Sequence, residues 1–425
     1  MSAKEYLRMK IKNEYIKSIT TLVSGSMIAQ LVTILCAPII TRIFTPDDLG
    51  IYALVTGAIT IFGAVTALRY DLCIVSASDE EKVFPLVKLS FLITSGFSLI
   101  IVVGYIIYFR TLDNNYNPFV LAIMAGVLVW QMGIINIATA YNNRHKDYKL
   151  ITKTYIQRVT SQNAFNLIAG FLNFNAIGLC VSHIIGYSAG IRGQIMPIWK
   201  ERKRLSLVTT QEMKDVTVEY SKQATLSTPA TLANGLSYSL INYFIEALFS
   251  TALVGYYSIS YRVLGLPISV VSANISRVFL EKASREYDEK GNFVDTYRST
   301  MKISIIIGIA MGLAMYFLAP LACEIFFGKG WGVAGTYIRI LTPMFVMRFM
   351  AGGINSSAII VNKQHIDFVI QGLLTLLVVL IFITSKVLKL KIEVFLMIIN
   401  ITFSVVYVIY IYLFWICAKN KKNTN

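Results

Sequence analysis

Long apolar runs separated by short polar breaks organise this chain. The first covers residues 20–40 and the second residues 49–68, with Pro46, Asp47, Asp48 and Gly50 as breakers between them. A charged stretch, residues 69–88, precedes a third run over 89–109, and a fourth covers 118–141. Residues 159–191 carry no Asp, Glu, Lys or Arg and are too long for a single crossing of about 20 residues. The polar break Asn173-Phe174-Asn175 divides them into two helices. The second half opens with two apolar segments between Asn234 and Pro267, joined by a tight turn near Ser250 and Thr251. A polar, helix-prone stretch of mixed charge follows over residues 277–302. Four further runs cover 303–322, 335–361, 366–384 and 392–418.

Apolar runs of this length predict transmembrane helices, twelve in all, and an all-α polytopic membrane protein. Composition agrees: 56% of the 425 residues are hydrophobic and 15% charged, against roughly 25% charged in soluble domains. Short alternating segments of the kind that build a transmembrane barrel are absent from the sequence. The net charge of +16 would suit nucleic acid, but the basic residues gather in the loops and tails on one side of the predicted bundle. That asymmetry orients the helices with both termini cytoplasmic and argues against a nucleic-acid partner. The loop with Lys386, Lys389 and Lys391 falls outside under this topology. Cys36, Cys73, Cys180, Cys323 and Cys417 are scattered with no CxxC or metal-type spacing. The basic N-terminal stretch, with Lys4, Arg8, Lys10, Lys12 and Lys17, leads into the first helix without a signal-cleavage pattern. The expected division is an N-terminal lobe of six helices over residues 1–199, a cytoplasmic linker over 200–223 and a C-terminal lobe of six helices over 224–425. The linker's KERKR cluster (residues 200–204) would suit an anionic lipid surface or a solvated loop.

The two halves repeat. F-T-P-D-D-L-G-I-Y from Phe44 and F-S-T-A-L-V-G-Y-Y from Phe249 align Phe, Gly and Tyr, so that Gly50 matches Gly255. After the fourth helix, Asn142, His145, Asp147 and Tyr148 match Asn362, His365, Asp367 and Phe368 after the tenth. Gly133 and Ala138 match Gly353 and Ala358. The repeated elements lie on the same side in each half, which makes the repeat parallel, as in transporters with alternating access. The paired His and Asp sit at predicted cytoplasmic helix ends, where a helix-end or gate contact explains them better than catalysis.

Charges inside the apolar runs are the candidate working residues. A charge in hydrocarbon costs roughly 2.5–3.5 kcal/mol on insertion scales and therefore faces a protein interior or a water-filled cavity. Glu246 and Arg262 occupy the two segments of the central hairpin, either as a pair tying two helices together or as cavity groups. Arg262 lies ~10 Å and Arg348 ~18 Å along their helices from the outer end, too deep for easy snorkelling. Arg339 and Arg192 sit near helix ends, where snorkelling accounts for them. Arg69 and Asp71 flank the inner end of the second helix, where a mutual ion pair is the plainer role. Arginine in a cavity points to an anionic cargo, because guanidinium is permanently charged and bonds phosphate or carboxylate in bidentate fashion. Glu246 and Asp71 are candidate cavity or coupling carboxylates, with a proton or sodium ion as the candidate driving ion. Tyr52, Tyr70, Tyr238, Tyr243, Tyr257 and Tyr261 would stack on sugar rings if inward-facing; most are expected in the interfacial belt. No phosphate-binding loop or other nucleotide-hydrolysis motif is present, and no other cofactor is implied.

The segments PIITRIFTPDDLGIYAL and ALRYDLCIVSASDEE, together with NNRHKDYKL, VGYYSISYRVLGLPISVVSANISRVFLEKAS and FFGKGWGVAGTYIRILTP, resemble bacterial polysaccharide flippases of the Wzx type. These belong to the multidrug/oligosaccharidyl-lipid/polysaccharide exporter superfamily. The resemblance extends to about Gly372. It implies a V-shaped bundle of two lobes in the bacterial inner membrane. The implied activity is flipping of undecaprenyl-pyrophosphate-linked repeat units to the periplasmic leaflet for O-antigen or another surface polysaccharide. Membrane lipids, and the polymerase and chain-length regulator of the same pathway, are the partners it suggests. Arg262, in YRVLGLP, resembles a cavity arginine of related lipid II flippases; the first helix carries no internal charge, and Arg42 sits at its end. Under this reading Arg262, Arg348 and Arg69 bind the substrate. The alternatives are a multidrug exporter of the same superfamily, which would want an acidic cavity, and a polysaccharide polymerase or glycosyltransferase, which would want a large periplasmic loop. The longest expected outer loop, residues 323–334, is short. A scaffold without transport activity leaves the interior charges unexplained.

Overall fold

The computed structural model describes residues 24–112, 116–361 and 363–419, apart from the side chains of Gln223, Leu226, Pro267 and Ser269. The basic N-terminal stretch and Asn362 lie outside the described residues. Every regular element among the described residues is helical. The order is α1 (Ser24–Ile43), α2 (Pro46–Phe62), α3 (Tyr70–Ser76), α4 (Val83–Phe109), α5 (Pro118–Arg144), α6 (Tyr148–Phe171) and α7 (Asn175–Gln194). The short helices α8 (Met196–Lys200), α9 (Arg202–Leu207) and α10 (Thr210–Glu219) lead to α11 (Ser221–Leu248) and α12 (Thr251–Pro267). After a π turn come α13 (Ala273–Lys290), α14 (Val294–Phe327), α15 (Gly332–Gly353), α16 (Ser357–Ile360), α17 (His365–Leu388) and α18 (Ile392–Lys419).

Eight helices among the described residues are long and apolar enough to cross a membrane. Helices α6, α7, α11 and α15 have spanning length but do not reach the same apolarity, so the expected twelve correspond to eight on this measure. Several boundaries move. Helix α6 starts at Tyr148, well ahead of residue 159, because the Asp147 side chain caps it by accepting from Leu150 N at 3.1 Å. Helix α14 absorbs the polar residues before 303 and runs on to Phe327. The expected outer loop thereby shrinks to residues 328–331, with Gly328 and Gly330 at positive φ. The break at Asn173 and Asn175 holds, both residues sitting at positive φ.

The chain forms two compact units. The first comprises residues up to Thr45 together with Leu54–Leu232. In it α5 packs along α4, with Gly133 facing the side chains of Thr94 and Thr66. Residues 200–223 are mostly helical, and several of their groups are held by this unit. Ile198 and Val216 join a core with Tyr70, Cys73, Leu86 and Tyr141. Lys88 Nζ donates to Val208 O at 2.7 Å, and Lys82 pairs with Glu219 at 2.8 Å. Arg144 closes the end of α3, donating to the carbonyls of Ile74 at 3.2 Å and Ala77 at 2.7 Å and pairing with Glu80 at 2.8 Å. Because Glu80 is exposed, the carbonyl contacts dominate. Arg144→Ala should destabilise this unit by about 2 kcal/mol, and Glu80→Ala by less than about 1 kcal/mol, in thermal melts of the detergent-purified protein.

The second unit comprises Pro46–Ala53 and residues from Ala233 onward. Residues 46–53 pack on α12: Gly50 faces the Thr251 carbonyl, and Gly255 faces the Pro46 carbonyl. Ser237 joins α11 to α17 by donating to Gln371 O at 2.9 Å. Ser260 donates to Ala334 O at 2.8 Å and Ser272 to Phe349 O at 3.0 Å, which seats α12 and the π turn on α15. Pro343 interrupts α15, and the Met344 N–H is taken by Asn400 Oδ1 of α18 at 2.8 Å.

Candidate functional site

Arg348 follows the Pro343 break on α15 and lies within an aromatic cluster drawn from three other helices. Its guanidinium carbon sits 3.8 Å from the ring centroid of Tyr238 on α11, 5.8 Å from that of Tyr261 on α12 and 5.7 Å from that of Phe345. Its Nη1 donates to the Tyr261 hydroxyl at 2.9 Å. Tyr238 in turn is hydrogen-bonded to Tyr407 of α18, and Tyr257 and Phe345 pack against Tyr261. A guanidinium between aromatic faces is held by the ring quadrupoles, by about 2 kcal/mol where water is excluded. The cluster thus ties α11, α12, α15 and α18 to one permanent cation.

Arg262, one residue past Tyr261 on α12, behaves differently. Its side chain is exposed, with no hydrogen bond or ion pair to any described residue, although it lies within a candidate membrane span. Of the two readings open for Glu246 and Arg262, the mutual pair does not form: no ion pair within 4.0 Å joins them. Glu246, near the end of α11, accepts from Thr251 Oγ1 at 2.9 Å across the hairpin turn, and its Oε2 is buried without a partner.

Arg69 and Asp71 lie in the first unit, and no ion pair within 4.0 Å joins them. Arg69 adopts a left-handed conformation (φ 66°) ahead of α3, which carries its side chain back to donate to Ala64 O at 3.2 Å. Asp71 is buried, with Oδ1 unpartnered. Burial raises its carboxyl pKa above the usual range, and the nearby Arg69 charge pulls it partly back.

The tyrosines are not chiefly a belt. Tyr52, Tyr70, Tyr238 and Tyr257 are buried within the protein, leaving Tyr243 and Tyr261 half-exposed. The repeated His and Asp differ in use. His145 Nδ1 meets the Tyr141 carbonyl at 2.8 Å and Asp147 caps α6, whereas Asp367 accepts from the Tyr410 hydroxyl on α18.

One further arginine escaped the sequence reading. Arg158 lies inside α6, with the rings of Tyr155 and Tyr187 at 5.4 and 5.8 Å and Nε buried without a partner. Its side chain runs over Gly190, and its carbonyl lies against Gly186 of α7. The G-x-x-x-G spacing of those glycines was the available signal, since small residues one turn apart admit a close neighbour. The described residues contain no cluster of three or more His, Cys, Asp or Glu suited to a metal ion.

The chain is a multi-pass membrane protein whose fold matches those of solved transporters of the multidrug/oligosaccharidyl-lipid/polysaccharide exporter superfamily. The chain is similar to the lipid II flippase MurJ in an inward closed conformation, at a TM-score of 0.72 and 12% identity over 92% of this chain and 87% of that one. It is similar to an inward-facing multidrug resistance MATE transporter at a TM-score of 0.66, with 15% identity over 95% of this chain and 96% of the other. A superfamily transporter from Pyrococcus furiosus, described as having a binding pocket of reversed polarity, matches at a TM-score of 0.59 and 16% identity, with 94% of each chain covered. No curated protein matches by sequence. A family model described as "Polysaccharide biosynthesis protein" matches residues 39–335. The chain belongs to that family.

Proposed function

We propose that this protein is a flippase. It moves undecaprenyl-pyrophosphate-linked oligosaccharides from the cytoplasmic to the periplasmic leaflet of a bacterial inner membrane. The observation that carries the reading is Arg262, a permanent cation within a candidate span that pairs with none of the described residues. A pyrophosphate and its glycan cannot cross roughly 30 Å of hydrocarbon unaided, and guanidinium is the side chain best suited to a phosphate. Family membership supports a cargo that belongs to polysaccharide assembly. In this reading Arg262 contacts the pyrophosphate, Arg348 stiffens the wall behind it through Tyr261, and the prenyl tail stays in lipid. Glu246 and Asp71 are the candidate carboxylates for coupling to a proton or sodium gradient.

Lipid-linked glycan in a strain lacking this protein tests the reading. Repeat units should accumulate on the cytoplasmic leaflet, and re-expression should clear them. Arg262→Ala should fail to clear them at normal membrane abundance, with transport falling at least about tenfold, the value of one charge-assisted phosphate contact. Failure of lipid-linked units to form in the deletion strain would place the protein upstream as an enzyme. Unchanged polymer with lost drug tolerance would favour the multidrug exporter.

A further inference from the structure

A groove of about 510 Å³ lies between α13 and the first turns of α14, and none of the proposed cargo-path residues lines it. Its volume is in the range of small-ligand sites. One wall is polar. Thr296, Ser299 and Thr300 line it from α14, at spacings that share one helix face. None of their hydroxyls has a partner among the described residues, although a helical threonine often bonds back to the preceding turn. Lys282 closes the groove from α13 and is exposed, with no ion pair among the described residues. Of the basic side chains nearby, Arg285 pairs with Glu289 at 2.9 Å and Lys290 with Asp295 at 2.8 Å, while Arg277 and Lys302 flank the groove without lining it. Asp295 also lines the groove, with its carboxylate drawn to Lys290. Glu286 accepts from Asp295 N and Thr296 N at 3.2 and 2.8 Å, so its charge is spent on the start of α14.

The other wall is apolar and open. Val278 and Ile303 are each 53% exposed, and Ile306, one turn further along α14, is 69% exposed. The polar wall coincides with the polar opening of α14, and the apolar wall with the start of its hydrophobic run. A soluble anion would use only the first wall. A phosphate ester carrying a hydrocarbon chain uses both, with the head between the ammonium and the hydroxyls and the chain along Ile303 and Ile306.

We infer that the groove between α13 and α14 binds the phosphate head of a membrane lipid, with Lys282 as its cation. Both an anionic glycerophospholipid and a polyprenyl phosphate present this chemistry. The inference does not depend on the proposed cargo.

The test is lipid retention by the full-length protein, purified from mixed micelles and read by mass spectrometry. Phosphatidylglycerol, phosphatidylcholine and undecaprenyl phosphate are offered together, first to the unmodified protein and then to variants. The unmodified protein should enrich an anionic lipid over phosphatidylcholine. Lys282→Glu should lower that enrichment about fivefold or more, the effect of one cation at an anionic headgroup. Lys282→Arg should preserve it, and Ser299→Ala with Thr300→Val should reduce it without altering the thermal midpoint. Preference for phosphatidylglycerol identifies a bilayer lipid; preference for undecaprenyl phosphate identifies the carrier. Equal enrichment by Lys282→Glu, or no enrichment of either anionic lipid over phosphatidylcholine by the unmodified protein, would overturn the inference.

Discussion

Gly50→Val and Gly255→Val should each lower the thermal midpoint of the purified protein by roughly 6–12 °C, the equivalent of about 3 kcal/mol. The reason is what a side chain would meet. At Gly50 an added Cβ overlaps the Thr251 carbonyl oxygen and lies 2.9 Å from its carbon. At Gly255 it overlaps the Pro46 carbonyl oxygen and lies 2.8 Å from its carbon. Both obstacles are backbone, so no rotamer change relieves them, and the segments must part. The contact is also reciprocal: Gly255 is the repeat partner of Gly50, and Thr251 that of Pro46. Both variants break the same contact, so the double variant should cost clearly less than the sum of the singles. Gly96→Ala and Gly104→Ala on α4, with no atom within 4 Å of a new Cβ, are the controls and should change little. An unchanged midpoint in Gly255→Val would remove the contact from the account of the fold.

That contact was half legible in the sequence. The matching F-x-x-x-x-x-G-x-Y segments marked two equivalent turns, but sequence spacing does not say that equivalent segments touch. Gly133 and Gly353 followed the same course: their alignment was visible, whereas the side chains they admit, Thr94 and Thr66 for one and Ile275 and Ser304 for the other, emerge only from helix packing. Hydropathy located the apolar runs because hydrocarbon demands length and apolarity together. It misjudged the starts of α6 and α14, where a polar amphipathic turn continues the same hydrogen-bond ladder into water. The charge pairings were the least legible. Arg69 and Asp71 are near neighbours in sequence, yet one left-handed residue turns the arginine back to Ala64. Glu246 found a hydroxyl five residues on, in Thr251, rather than Arg262. Arg348 was identified by depth alone; its partners Tyr238, Tyr261 and Tyr407 come from three other helices, which no local pattern could bring together.

Arg348→Ala should reduce the folded, membrane-inserted protein severalfold, as measured by size-exclusion peak height from solubilised membranes. Truncation empties the space beside Tyr238 and leaves the Tyr261 hydroxyl without its 2.9 Å donor. The loss combines a desolvated cation–aromatic contact, about 2 kcal/mol, with a charged hydrogen bond of roughly 1.5–3 kcal/mol, less the desolvation cost of the cation that is no longer incurred. Arg348→Met separates filling from charge. The thioether occupies the same channel, packs on aromatic rings and carries no desolvation penalty, so abundance should return close to that of the unmodified protein. If Arg348 acts as a support for Tyr261, the methionine variant should retain glycan clearance within a few-fold, while Arg262→Ala loses it at full abundance. If the methionine variant is abundant and inactive, the Arg348 charge itself meets the cargo, and the aromatic cluster is a holster from which the guanidinium swings during transport. The two arginines are distinguished by what already surrounds them. A cation stacked on Tyr238 and bonded to Tyr261 must give up those contacts to take a phosphate, whereas Arg262 has no partner among the described residues to give up.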